Sequence, residues 1–522
     1  MREFNVTGLC IPKMHYMADT SDKIHQIMAI VEQGHYFTIN RGRQYGKTTT
    51  LSLLEKSLPK EYTVIKVSFE GVSDGVFDTE SNFCQGLLYI CSKYFSERNL
   101  PGADVWVDNS VITFDLLDAF LNKTCLDKKI VLMIDEVDKT SNNFIFLKFL
   151  GMLRDKYLKR NDGIGATFKS VILAGVYDIK NLKLKMIQAG THQLQDGEKR
   201  INSPWNIAVS FKVDMSLNEK EIASMLLEYE NDHKIGMDIE SIAREIRAYT
   251  NGYPFLVSRL CQIMDEDLEK KDWTANGVRR AVKIILNEPN LLFDDLGKNM
   301  VSNKELSNLL YDIAINGQVY GYNLTNPAME LGFIFGFLKK QGEQVAIDNL
   351  IFESVIYSHF MTEKKIKGIR INKVLPNEII EDGKFDMELC VDKFVQHYYE
   401  LYRESGKKFL EDECRMLFLT YLKPLINGAG FYRVESETRN AKRMDVVVDY
   451  KSEQFIVELK LWYGEMSHEK ALEQIVNYLG CRNKDTGYLL TFDFRKEENV
   501  GKPQIKWVEY KGKKILDVMV GF

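Results

Sequence analysis

"KIVLMIDEVDK", residues 129–139, decides how the first half of the chain folds. Five apolar residues in succession, Ile130 to Ile134, run into two carboxylates, Asp135 and Glu136. A strand that is apolar on both faces belongs inside a parallel sheet covered by helices. Its last residues then reach the C-terminal edge of the sheet, where open α/β folds bind their ligands. Asp135 is placed there to hold Mg²⁺ through water, and Glu136 to polarise a water for attack on a γ-phosphate.

Such a strand needs a phosphate-binding loop upstream, and "INRGRQYGKTTTL" (39–51) provides a candidate. A β-prone run, "HYFTIN" (35–40), enters it, and "GKTTTLSLLEKSL" (46–58) leaves it with leucines at 51, 53, 54 and 58. Strand, glycine-containing loop and helix is the arrangement in which backbone N–H groups and a helix N-terminus cradle phosphates. Lys47 then reaches the β- and γ-phosphates and the Thr48 hydroxyl ligates Mg²⁺. The usual pattern is G-x-x-x-x-G-K-[ST]; here Arg41 holds the first glycine's place and Gly42 comes one step late. The candidate ATP-binding set is Arg41, Gly42, Arg43, Gln44, Tyr45, Gly46, Lys47, Thr48 and Thr49, with Asp135.

Further strands are expected over 62–71, 169–177 and 206–214, separated by helical segments, as a parallel sheet requires. Ser216-Leu-Asn-Glu219 reads as a capping box opening the next helix. "YTNGYPFLVSRLC" (249–261) follows, with Gly-Tyr-Pro breaking into a helix.

Composition bounds the remainder. A chain of 522 residues is long enough for several cores. At 45% hydrophobic and 27% charged residues it has the make-up of a soluble globular protein, and a net charge of −5 carries no polyanion signal. Eight scattered cysteines form no C-x-x-C pair, so reduced thiols are expected, not a disulfide framework. "MREFNVTGLCIPKMHY" is no signal peptide, and no apolar stretch approaches the roughly 18–20 residues of a membrane span. The expectation is a cytoplasmic protein with no membrane partner.

"RGRQYGKT", "VLMIDEVD", "VILAGVYDIKNLK" and "NGYPFLV" together resemble the AAA-ATPase-like family of bacterial proteins, signal-transducing P-loop ATPases, over about residues 1–360. In that family an arginine–small residue–arginine often replaces the first loop glycine, so Arg41 and Arg43 are implied as phosphate contacts. Pro254 is implied to pack on adenine, and Tyr16 to Asp19 to lie against the base. The fourth strand ends in Ala174-Gly175, without the polar residue that usually senses the γ-phosphate. That departure bears on the rate of hydrolysis more than on binding. Phosphoryl transfer at such sites uses a charge from outside, so a nucleotide-dependent homo-oligomer is expected.

After the lid, residues 327–360 read as helix, hairpin turning at Gly342, and helix, a winged-helix pattern. In this superfamily that module more often mediates interaction than binds DNA. The polar stretch from 361 reads as a linker.

A second constellation lies in "KRMDVVVDYKSEQFIVELKLW" (442–462). Alternation along a strand puts Glu458 and Lys460 on one face, and a carboxylate on the adjacent strand, Asp445, can share it. Two carboxylates and a lysine converging this way suit a Mg²⁺ that activates water for phosphodiester attack. The pattern resembles the PD-(D/E)XK nuclease superfamily over roughly 390–522. A helix with an acidic start, 409–430, precedes it, and Glu411 or Glu413 is placed to complete the metal site. Gln474 and Tyr478 share a helix face and match the Q-x-x-x-Y extension of the exonuclease-like branch. Arg439, Lys442 and Arg443 cluster before Asp445, placed to grip phosphates. Residues 401–522 hold 21 Lys+Arg against 19 Asp+Glu, so nucleic acid would be met by a local groove.

The fold expected is α/β: a P-loop NTPase core with a parallel sheet in three layers over 1–215, a helical lid over 216–290, and a winged-helix-like module over 291–361. A linker over 362–388 and a PD-(D/E)XK nuclease-like α/β domain over 389–522 complete it. The function expected is an ATP-binding switch or motor, using ATP and Mg²⁺, coupled to cleavage of nucleic acid, DNA in preference to RNA. Glu136, Asp445, Glu458, Lys460 and Gln474 are its candidate catalytic residues, and Thr48, Asp135, Asp445, Glu458 and Glu413 its candidate metal ligands. Resemblance alone implies a role in defence or mobile-element biology. The rival is a nucleotide-gated signalling or scaffold protein whose nuclease-like domain binds without cutting.

Overall fold

In the computed structural model, β1 (Phe37–Asn40), β2 (Tyr62–Ser68), β3 (Lys129–Asp135) and β4 (Ser170–Gly175) pair in parallel in the order β1-β4-β3-β2. The structure describes residues 2–140, 144–176, 205–268, 271–315, 318–363, 379–381, 384–402, 411–426, 430–436, 444–451, 453–494 and 503–521. It divides into two units, Met1–Arg247 with Asn251–Gln262 and Phe333–Gly336, and Ala248–Thr250 with Ile263–Gly332 and Phe337–Phe522.

The central strands of the first unit are the apolar ones. β3 is buried from Ile130 onward and β4 throughout, because helices cover both faces. The crossovers that parallel pairing demands run through Lys47–Ser57, Glu80–Glu97, Phe114–Cys125 and Phe144–Asn161. Thr79 and Thr113 cap two of these helices by accepting from Asn82 N and Leu116 N. On one face Leu132, Leu173 and Ile65 pack with Phe83, Leu87, Phe149 and Leu153. Since all four strands run the same way, the ends of β1 and β3 reach the same sheet edge.

Two expectations are corrected. Residues 206–214 do not form a ladder: a single parallel bridge, Val209 to Phe37, touches β1, with Phe211 stacked on Phe37 at 5.7 Å. Its alternating apolar residues rest along the edge of β1 and so mimic a strand in sequence. The capping box at the next helix, Glu219–His233, is built by Asn218 and Glu221, two residues later than expected. Ser216 instead bonds back to Asp214.

The N-terminal residues lie along that helix. Phe4 and Tyr16 pack on Tyr229 with ring centroids 5.3 and 5.2 Å away, and Arg2 pairs with Glu228 and Asp232 at 3.0 Å each.

In the second unit the helix Pro327–Ile334 leads to the hairpin β6 (Leu338–Gln341) and β7 (Gln344–Ile347), then to the helix Leu350–Glu363. A short β5 (Tyr320–Gly321) joins β7, and Gly342, at φ +62°, makes the hairpin turn. Most of the stretch read as a linker lies outside the described residues. Its end is folded: β8 (Ile380–Glu381) and β9 (Lys384–Phe385) form a hairpin before the helix Met387–Tyr402. Ile379, Phe385 and Met387 are buried there, and Phe385 lies 5.1 Å from Tyr450.

After the helix Glu411–Ile426 comes a six-stranded mixed sheet of β10 (Gly430–Ser436), β11 (Met444–Tyr450), β12 (Glu453–Leu461), β13 (Thr486–Asp493), β14 (Gln504–Tyr510) and β15 (Lys513–Gly521). Its order is β10-β11-β12-β13-β15-β14. The first three strands form an antiparallel meander, and the helix Glu465–Cys481 then crosses over to the parallel β13. Ala471, Ile475 and Leu479 of that helix pack on Ile456, Leu489 and Ile515. Among the described residues no helix is long and apolar enough to cross a membrane.

Candidate functional sites

The first site is built where β1 and β3 end. Gly46, at φ +76°, turns the chain out of the loop into Lys47–Ser57, so the first N–H groups of that helix face the loop's concavity. Gln44 is also left-handed, at φ +55°. Lys47 is buried and its Nζ donates to Arg41 O and Gly42 O at 3.0 Å each, so the cation spans the loop's mouth. Burial depresses its pKa, against the pull of Glu136, Asp138 and Asp135.

Thr48 Oγ1 donates to Asp135 Oδ2 at 2.7 Å, joining the loop to the end of β3. Hydroxyl plus carboxylate is an all-oxygen donor set of the kind Mg²⁺ takes. Glu136 follows at φ +52°, with its N–H donating to Asp135 Oδ1 at 3.0 Å. Its carboxyl is pushed above the ordinary range first by burial, then by Asp135 and Asp138, while Lys47 works against the rise. A cavity of about 690 Å³ opens beside Thr48 and Asp135, lined also by Lys66, Ser68, Tyr89 and Tyr94.

Arg41 is engaged elsewhere: its guanidinium donates to Asn40 O at 2.8 Å and Val213 O at 3.4 Å and lies over Phe211. Arg43 is exposed. Thr49 Oγ1 accepts from Cys10 N at 3.2 Å, which brings the N-terminal segment onto the start of the loop helix. Pro254 begins the helix Pro254–Gln262, and the preceding Tyr253 stands edge-on to Tyr45 at 4.6 Å. A Cβ on Gly42 would lie 2.4 Å from Phe335 O. The displaced glycine is thus demanded by a backbone approaching from far along the chain.

Asp138 was not singled out by sequence reasoning, although it stands in the same "DEVD" string. Its Oδ2 accepts from Val176 N, and a Cβ on Gly175 would meet its carboxylate at 3.0 Å. It therefore buttresses the end of β4 beside Glu136. Residues 177–204 lie outside the described residues.

The second site lies on β11 and β12. Asp445 is the register partner of Glu458, so two carboxylate-bearing positions face each other across an antiparallel pair. Glu458 is wholly buried, and Lys460, one alternation on, places Nζ 2.5 Å from Glu458 Oε1. Gln474, on the covering helix Glu465–Cys481, is buried as well. Glu411 and Glu413 fall in the first turn of Glu411–Ile426. Arg439, Lys442 and Arg443 lie outside the described residues. Among the described residues no group of three or more His, Cys, Asp or Glu stands ready as a metal cluster.

Sequence reasoning also passed over His468 and Asp517. Asp517, on β15, is buried, and His468 Nε2–H donates to its Oδ2 at 3.1 Å. Asp517 shares a row with Glu458, both being register partners of Leu489. No spacing in the sequence links these residues.

No family model matches the chain, and no curated protein matches it. Among solved structures it is similar to the Walker-type ATPase of Pyrococcus abyssi, at 12% identity and a TM-score of 0.46, over 68% of this chain and 99% of that one. It is also similar to the Aeropyrum pernix ORC2 protein in its ADPNP-ADP complexes, at 10% identity and a TM-score of 0.36, over 66% of this chain and 93% of that one. The character of each site therefore comes from its own geometry.

Proposed function

We propose that this protein is a P-loop ATPase joined to a Mg²⁺-dependent nuclease. The ATPase half rests on one observation above the others, the 2.7 Å bond from Thr48 to Asp135 at the common edge of a parallel sheet. The residues suit ATP with Mg²⁺: helix N–H groups and Lys47 for the β- and γ-phosphates, Thr48 and Asp135 for the cation. Glu136, held in a left-handed conformation one residue on, takes the proton of the attacking water. Its raised carboxyl makes it a better proton acceptor than an ordinary glutamate.

The nuclease half rests on the pairing of Asp445 with Glu458 and the contact of Lys460 with Glu458. Asp445 and Glu458, with Glu413 or Glu411, would hold Mg²⁺ there. When bound, the ion supplies an oriented water of lowered pKa and neutralises charge on the phosphate. Lys460 supports negative charge on the attacking oxygen, and Gln474 orients substrate or a ligand. The order helix, antiparallel meander, helix, parallel strand supports this reading over a plain salt-bridged hairpin. DNA is favoured over RNA, and a second copy of this chain is the expected partner.

The test is to incubate the full chain with plasmid, single-stranded DNA and RNA, with and without Mg²⁺ and ATP. Cutting that needs Mg²⁺ and vanishes in Asp445→Asn and Glu458→Gln, with ATP hydrolysis retained, supports the proposal. A wild-type chain that hydrolyses ATP yet cuts nothing under any condition replaces the nuclease with the nucleotide-gated scaffold.

A further inference from the structure

The face of the sheet that carries Glu458 and Lys460 holds a second acid–base contact, His468 with Asp517. Alternation along β12 puts Glu458, Lys460 and Trp462 on one side, since Trp462 N donates to Phe492 O at 2.8 Å and continues the ladder. Register carries that face across the sheet. Glu458 pairs with Leu489, Leu489 with Asp517 and Asp517 with Lys506, while Lys460 pairs with Thr491.

The helix Glu465–Cys481 covers this face through Ala471, Ile475 and Leu479. His468 stands one turn before Ala471, on the same stripe. Its ring centroid lies 5.4 Å from that of Trp462 on β12, and its Nε2 lies 3.1 Å from Asp517 Oδ2 on β15. Trp462 is one alternation beyond Lys460, and Asp517 is one alternation short of Met519, the partner of Thr491. A line between the two contacts crosses β13 at Thr491, so the imidazole sits over Thr491 and beside Lys460.

Three polar atoms stand bare there. Thr491 is 1% exposed and Asp517 4%. Even so, Thr491 Oγ1, Asp517 Oδ1 and His468 Nδ1 are buried with no hydrogen-bond partner among the described residues. Leaving a buried polar atom unpaired costs enough that a chemical role is one of the few reasons to keep it. An ionised carboxylate only accepts, so the proton shared with Asp517 belongs to Nε2 and the free lone pair to Nδ1. Lys460, an ammonium 2.5 Å from Glu458, has donors and no lone pair, so it cannot take a proton. His468 can.

We propose that His468, oriented by Asp517, takes the proton of the water that attacks a phosphodiester at the C-terminal site, while Lys460 supports the negative charge on the attacking oxygen. The water oxygen bonds to phosphorus, the bond to the leaving oxygen breaks with its electron pair, and the proton moves to Nδ1. The leaving oxygen draws its own proton from solvent. The imidazolium so formed meets Asp517, Asp493, Glu458 and, on its own helix, Glu465 as opposite charges, and Lys460 and Lys506 as like ones. Asp517 both fixes the tautomer and stabilises that imidazolium, as a carboxylate behind a histidine base does. This rests on the nuclease reading of Glu458 and Lys460 and supplies its proton acceptor.

The test follows plasmid nicking by the full-length protein in Mg²⁺ across the pH range in which imidazole titrates, beside the melting temperature of each variant. His468→Gln should lower kcat about a hundredfold with KM for plasmid unchanged, and should lose the imidazole limb of the pH profile. Free imidazole should restore part of the rate to His468→Gly. Asp517→Asn, which removes the charge that fixes the tautomer, should lower kcat as well. A readout independent of cutting is nitrogen NMR of the protein labelled in histidine, with the His468 signal assigned by its loss in His468→Gln. It should show the proton on Nε2 and none on Nδ1. A proton on Nδ1 overturns the proposal even where the variants fold poorly. A wild-type rate and pH profile in His468→Gln overturn it while leaving the nuclease reading in place. Slow cutting in His468→Gly that imidazole does not restore, with an early melt, overturns it in favour of a structural tie between helix and sheet. A wild type that cuts nothing overturns the nuclease reading and this role with it.

Discussion

The phenol of Tyr253 donates a hydrogen bond to Arg43 O, joining residues 210 positions apart. Tyr253 immediately precedes the helix Pro254–Gln262, so the start of that helix and the phosphate loop are set by one another. Tyr253→Phe should leave the fold intact and weaken ATP binding about three- to tenfold, the worth of roughly 1 kcal/mol for one hydrogen bond. Gly42→Ala should be more damaging, because its Cβ would meet Phe335 O at 2.4 Å. Titration with a fluorescent ATP analogue measures both. Wild-type affinity in both variants would sever the link between this helix and the loop.

Lys47→Ala should abolish nucleotide binding, since Lys47 is the cation seated at the loop's mouth. Glu136→Gln should bind ATP normally and hydrolyse it slowly. Equilibrium binding and phosphate release, measured side by side, separate the two. Hydrolysis by Glu136→Gln at the wild-type rate would take the proton-accepting role away from Glu136.

Glu136 also predicts a pH dependence. Its folded pKa is raised, first by burial, so its neutral form is favoured in the folded chain. Relative to the unfolded chain, that stabilisation is complete below the unfolded glutamate value and lost as pH rises through the folded one. Glu136→Gln should therefore raise the melting temperature of the nucleotide-free protein at neutral pH, with the gain fading in acid. The acid limb of wild-type ATP hydrolysis should set in above the ordinary glutamate range. Equal melting temperatures at pH 7 would count against the raised carboxyl.

Glu458 and Lys460 are a buried ion pair, and breaking such a pair from one side costs about 3–5 kcal/mol because the remaining charge is left uncompensated. Lys460→Ala should lose cutting and melt markedly earlier. Adding Glu458→Gln to Lys460→Met should restore much of the stability but no cutting. Calorimetry beside plasmid nicking reads both, and a double variant no more stable than Lys460→Ala would contradict the pairing.

Self-association is the remaining prediction. On the ATPase reading proposed above, a cation supplied by a second copy would complete phosphoryl transfer, so light scattering should show a larger mass with a non-hydrolysable ATP analogue than without nucleotide. Full ATPase activity from an unchanged monomer would contradict it.

The sequence by itself determined what depends on neighbours along the chain. The apolar run before Asp135 dictated a buried parallel strand, Gly46-Lys47-Thr48 dictated a loop entering a helix, and strand alternation put Glu458 and Lys460 on one face. These are consequences of local backbone geometry, whose periods of 2 and 3.6 are written directly into residue spacing. Tertiary structure alone decided what depends on register and approach between distant segments. That Asp445 stands opposite Glu458 is set by pairing across β11 and β12, and a slip of one residue would have turned one of them to the other face. That Arg41 turns to Val213, that Gly42 must be glycine because Phe335 O comes close, and that His468 finds Asp517 are all fixed by contacts between segments far apart in the chain. No spacing encodes such contacts, because packing is chosen by the whole fold and not by the residues on either side.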